Sequence, residues 1–140
     1  MTRTGVRAAV LVAAVCLPLG VGSGWLWVRL VDGAEPVVAD LTLGLIGFIV
    51  GVIWSFVALW FVGRRFPDGV FVGLVVGGVV GSMVAYRFGQ VIGVDATGDL
   101  ALKAPGVLLM WPLGSCLVGF GVGVTRRVHG RLGEPSAAEK

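Results

Sequence analysis

Four apolar runs, each long enough to cross a lipid bilayer as a helix, constrain this chain more than any motif it carries. They cover about residues 8–30, 41–62, 70–93 and 105–125. At 1.5 Å per residue such runs reach about 32 to 36 Å, against a hydrocarbon core of about 30 Å. A spanning strand would need only about 9–11 residues and would alternate in polarity. Charged residues make up 14% of the 140, whereas a soluble domain carries about 25%. The expected fold is all-α: a polytopic membrane protein, a four-helix transmembrane bundle with short loops. No connection is long enough to fold alone, so residues 1–140 are expected to form a single membrane domain with a short basic tail, 126–140.

Arg3 and Arg7 ahead of the first run resemble a secretory signal, and Ala13-Ala14-Val15-Cys16 resembles a lipoprotein cleavage box. The run from Ala8 to about Leu30 exceeds the apolar core of a cleavable signal, which is about 7–15 residues long. Val15 is also bulky where a cleavage box needs a small residue. A retained first helix is the expectation.

Basic residues set the orientation. Arg3, Arg7, Arg64, Arg65, Arg126, Arg127, Arg131 and Lys140 fall on one side of the four spans, and Arg29 and Lys103 on the other. Because basic loops stay in the cytoplasm, both termini are expected inside, in the cytoplasmic membrane. The net charge of +3 then reflects topology rather than a nucleic-acid surface. The basic tail suits anionic lipid headgroups, at about 1 kcal/mol per basic residue near the surface. Trp25 and Trp27 near the outer end of the first helix, and Trp60 near the inner end of the second, read as interface anchors. Trp54 and Trp111 lie deeper and read as packing residues. Pro105 suits the first turn of the fourth helix, while Pro18 and Pro112 inside spans should kink theirs.

Glycine supplies 24 of the 140 residues, and its placement is the most specific pattern present. Gly69, Gly73, Gly77, Gly81, Ala85, Gly89 and Gly93 recur every fourth residue along the third helix. Residues four apart share a helix face, so the ladder forms a groove that a neighbouring backbone can approach closely. Shorter versions occur at Gly20 and Gly24, at Gly47, Gly51 and Ser55, and at Ser115, Gly119 and Gly123. Contacts inside one bundle are the favoured reading, with self-association or a partner surface as the alternative.

Arg87 is the one ionisable residue well inside a span, about 9 Å below the outer end of its helix if that helix ends near Gly93. At about 100° per residue it points away from the Ala85–Gly89 part of the ladder, with Gln90 on its own face. Asp40 starts the second helix at the same outer level, with Asp95 and Asp99 just beyond the third. An ion pair from Arg87 to one of these acids is expected, and a bound anionic group such as a lipid phosphate or small acid is the alternative. No second intramembrane acid, base or nucleophile completes a catalytic constellation. Cys16 and Cys116 read as apolar packing groups. With a single histidine, His129, there is no metal-ligand spacing. No catalytic, metal or cofactor site is therefore expected.

Gly22-Ser-Gly-Trp-Leu-Trp27, Gly73 to Ser82 with Ala85-Tyr-Arg87, and Leu102 to Pro112 together resemble a family of small actinobacterial four-helix membrane proteins of unknown function. The resemblance implies class and location but no activity. The functional expectation is a non-enzymatic accessory or scaffolding protein, acting through helix packing with itself or a membrane-protein partner. The alternative is a small oligomeric transporter or channel component, with an outward-facing polar pocket at Arg87 and Gln90.

Overall fold

The structure, a computed structural model, describes residues 3–31, 34–63, 67–97 and 104–132, with side-chain surroundings up to residue 93 in the third segment and residue 125 in the fourth. Four helices result: α1 (Arg3–Leu30), α2 (Pro36–Phe61), α3 (Pro67–Thr97) and α4 (Met110–Leu132). Stretches long and apolar enough to cross a membrane are Arg3–Leu30, Pro36–Phe61, Asp68–Gly93 and Pro105–Thr125. The arginines at 64 and 65, Lys103, Asp99 and the tail beyond residue 132 lie outside the described residues, as do the side chains of Asp95, Arg126, Arg127, His129 and Arg131.

Proline starts α2. Pro36 occupies its first turn, where no N–H is needed, and Glu35 before it is extended at φ −63° and ψ 147°, as a pre-proline residue prefers. Pro105 opens a 3-10 turn, Pro105–Leu109, that precedes α4. This turn corrects the expected mid-span kink at Pro112. In α geometry the Pro112 ring would clash with the carbonyl four residues back. Here the preceding residues take the tighter 3-10 path, with Val107 N–H donating to the Ala104 carbonyl at 3.0 Å, and Pro112 falls in the first turn of α4. α3 runs past Gly93 to Thr97, since nothing between them breaks a helix.

The ladder on α3 packs against α1. A Cβ added at Gly69 would meet the Gly5 carbonyl oxygen, and one at Gly73 would lie 2.5 Å from that of Ala9. One at Gly77 would lie 2.8 Å from Ala13 Cα, and one at Gly81 would lie 3.0 Å from the Cys16 carbonyl oxygen. The relation is mutual, because a Cβ at Gly20 would lie 2.5 Å from the Gly81 carbonyl oxygen and one at Gly24 would meet that of Ala85. Residue numbers rise together along this seam, so α1 and α3 are parallel. Glycine on one helix facing small residues on the other permits the approach, and such close packing is what holds helices together where lipid removes the hydrophobic drive.

α2 and α4 form a second parallel pair. A Cβ at Gly51 would lie 2.5 Å from the Trp111 carbonyl oxygen, and one at Gly114 would lie 2.9 Å from that of Phe48. Ser115 Oγ donates to the Gly51 carbonyl at 3.5 Å, and Ser55 Oγ donates to the same oxygen at 2.6 Å. Trp111 joins the two pairs. Its indole, 1% exposed, rests against Gly51 of α2 and against Gly78 and Gly81 of α3. Among the described residues the backbones of α1 and α4 do not approach within 8 Å between Cα atoms, so they occupy opposite corners of the bundle. Two apolar clusters close its ends: Trp27, Val31, Ala39, Leu43, Ile46 and Ala85 at one, and Val12, Ala58, Val70 and Leu74 at the other.

Gly73→Leu is expected to force α1 and α3 apart at a cost of at least the ~1–3 kcal/mol typical of overpacking. Gly22→Ala, at a position with nothing within 4 Å of the added Cβ, is expected to be neutral. Thermal unfolding of the two purified variants in one detergent measures the contrast, and equal midpoints would contradict the seam.

Candidate functional site

The polar groups that could carry chemistry gather at the Trp27 end of the bundle, and the helix starts explain their places. Asp40 sits at the beginning of α2 and is 5% exposed. Its Oδ2 accepts the Ala104 N–H at 2.9 Å. Ala104 precedes the 3-10 turn, where an N–H has no partner within its own helix. The carboxylate therefore ties the approach to α4 onto α2 with a charge-assisted bond. One residue earlier, the Ala39 carbonyl accepts the Trp27 indole N–H at 2.7 Å.

Trp27 departs from its expected role as an interface anchor. It is 1% exposed, because its ring fills the space left by Gly89, where an added Cβ would lie 2.5 Å from the ring. Its partner at Ala39 satisfies the polar tip, whereas the buried indole N–H groups of Trp54 and Trp111 have no hydrogen-bond partner among the described residues. Trp25 and Trp60 are exposed at 50% and 67%, and the Arg29 guanidinium lies 5.1 Å over the Trp25 ring. Trp54 is half-buried beside the Cys16 thiol, and Trp111 is fully buried.

Arg87 and Asp40 are not brought together. Asp40 points into the bundle, whereas Arg87 is exposed on the face of α3 turned away from α1. Gln90 is half-buried, and its Nε2 donates to the Tyr86 hydroxyl at 2.8 Å. Tyr86 in turn packs on Trp27 with ring centroids 6.5 Å apart. Gln90 is thus part of the bundle's own polar seam, one turn from Arg87. Asp95 and Asp99, the other acids considered for Arg87, have no described side chains.

The interior offers little room. Where all four helices meet, a cavity of about 10 Å³ is lined by Ser23, Leu43, Gly47, Ser82, Ala85 and Trp111, among others. One water needs about 10–15 Å³ by the same measure. The serine hydroxyls facing the interior serve the helices themselves: Ser23 donates to the Leu19 carbonyl and Ser82 to that of Val79, each at 2.8 Å. Cys16 is buried with Sγ 3.5 Å from the Val12 carbonyl, and both cysteines are free thiols. Among the described residues no three His, Cys, Asp or Glu side chains converge. On the outside, α2 and α4 flank an apolar groove of about 610 Å³ lined by Phe48, Val52, Phe56, Leu117 and Gly121, among others.

Two contacts went unforeseen in the sequence. The Trp27–Ala39 bond joins a side chain to a backbone carbonyl, which no residue pattern announces. The α1 half of the ladder, by contrast, is legible in retrospect: Gly5, Ala9 and Ala13 repeat the four-residue spacing of Gly69, Gly73 and Gly77.

Asp40→Ala is expected to free the Ala104 N–H and lower stability by on the order of 1–2 kcal/mol. Amide exchange at Ala104 should accelerate in that variant and much less in Asp40→Asn, which keeps an acceptor oxygen. Unchanged exchange in Asp40→Ala would show that the bond is not formed.

No family model matches the chain, and neither the curated proteins nor the solved structures contain a significant match to it.

Proposed function

We propose that this chain is a non-enzymatic, multi-pass protein of the cytoplasmic membrane, with both termini inside, that serves as an accessory or scaffolding subunit through helix packing. One observation carries the reading. The interior is filled by the chain's own glycine seams and by Trp111, which leaves space for about one water where the helices meet. A solute path through a single copy has no room there. The serine and carboxylate groups of the interior are spent on backbone partners. What remains to act on anything else is the outward surface, whose apolar faces suit lipid and other membrane helices. The resemblance to small actinobacterial four-helix proteins fits the same class.

The transport alternative would require several copies to enclose a path between them, with Arg87 facing it. Purification from native membranes in mild detergent, with the mass and composition of the particle determined, separates the two. The accessory reading expects a stoichiometric second membrane protein. A homo-oligomer that conducts a solute when reconstituted, and loses that flux in a correctly folded Arg87→Leu variant, would overturn it.

A further inference from the structure

We infer that Arg87 binds the phosphate of a membrane phospholipid, in the leaflet reached by the C-terminal end of α1. The inference rests on the membrane reading above but not on the accessory role.

The argument begins with the face on which Arg87 stands. Val76, Val80, Met83 and Val91 are 53%, 41%, 55% and 76% exposed. At about 100° per residue, these four and Arg87 fall in one sector of α3 about 80° wide, opposite the Ala85–Gly89 ladder. In a bilayer that sector meets hydrocarbon, and a guanidinium within it must find an anionic or polar partner or reach water.

Depth decides where the partner lies. A Cβ at Gly24 would meet the Ala85 carbonyl, and one at Gly89 would meet the Trp27 ring. In this parallel seam Arg87 is therefore level with about Leu26, roughly 6 Å short of the end of α1 at Leu30. The Arg29 guanidinium stacked over the exposed Trp25 ring marks the headgroup level on α1, since aromatic and basic residues gather at that boundary. An arginine stem is long enough to cover such a distance and lift its guanidinium to the phosphates.

Protein partners do not compete among the described residues. Asp40 lies inside the bundle on the Ala104 N–H, and no ion pair or hydrogen bond joins Arg87 to another described residue. Gln90 is held by Tyr86. A phosphodiester offers the guanidinium two oxygens in the geometry its fork matches.

The test is a solid-state NMR measurement of ¹³C–³¹P dipolar dephasing on arginine-labelled protein in phosphatidylglycerol/phosphatidylcholine vesicles. The Arg87 Cζ signal is identified as the one lost in Arg87→Lys or, if that variant folds poorly, in Arg87→Gln. Dephasing that corresponds to a carbon–phosphorus distance within about 5 Å, as direct hydrogen bonding requires, is the expected result. An undiminished signal in vesicles overturns the inference. A second arm uses a phosphorus-free maltoside detergent with inorganic phosphate. No dephasing is expected there, and its appearance would reassign the site to free anions and overturn the lipid assignment. Alkaline extraction of the same vesicles tests insertion separately, so a firmly inserted protein without dephasing sinks only the Arg87 inference.

Discussion

The constraint on which the rest of the structure depends is backbone contact between α1 and α3. Along that seam the helices approach until a single added carbon would collide with a carbonyl oxygen or Cα of the other helix. Such proximity allows many dispersion contacts per turn, each worth only about 0.1–0.2 kcal/mol. In lipid these sums matter more than in water, since apolar burial between helices gains little when the solvent is itself apolar. The same property makes the seam unforgiving. A side chain there has no rotamer to retreat into, because the obstacle is backbone.

Given that seam, the connectivity follows. α1 and α3 are parallel and tightly joined, so the chain between them must return along the bundle as α2, and α4 must return from α3. The returning helices then meet each other as the second parallel pair, again through glycine, at Gly51 and Gly114. Trp111 occupies the junction because three glycines, Gly51, Gly78 and Gly81, leave a socket of indole size. The Trp27 end is pinned by directed bonds, Trp27 to Ala39 and Ala104 to Asp40. At the other end the apolar side chains of Val12, Ala58, Val70 and Leu74 pack together.

Much of this is legible in the sequence, and the residues say why. Helix number and approximate limits come from apolar length, which is additive along the chain. The α3 ladder comes from a period, which survives whatever the partner is. Periodicity is silent about the partner, and so the sequence left open whether the ladder meets α1 or another molecule. Trp27 was misplaced for a related reason. Position near a span end suggests an interface anchor, but its burial depends on Gly89, sixty-two residues away, and on an Ala39 carbonyl that has no sequence signature. Asp40 was recognised as a partner in waiting, and the group it finds is a backbone N–H, invisible to any count of charges. Arg87 is exposed on α3, and helix phase alone sets it opposite the ladder.

The same division bears on where activity can reside. Glycine seams bring helices close and thereby fill much of the interior, and among the described residues Ser23, Ser55, Ser82, Ser115 and Asp40 are bonded to backbone groups. This bundle spends Ser55 and Ser115 on one carbonyl and leaves a central space near the size of one water. Its outward side is the opposite case, with large apolar residues exposed on every helix and one arginine among those of α3. An arginine costs about 2.5–3.5 kcal/mol at mid-bilayer on insertion scales and less toward the interface. Among the described residues no internal contact offsets that cost at position 87, and the lipid phosphate proposed for Arg87 would supply the offset from outside the chain.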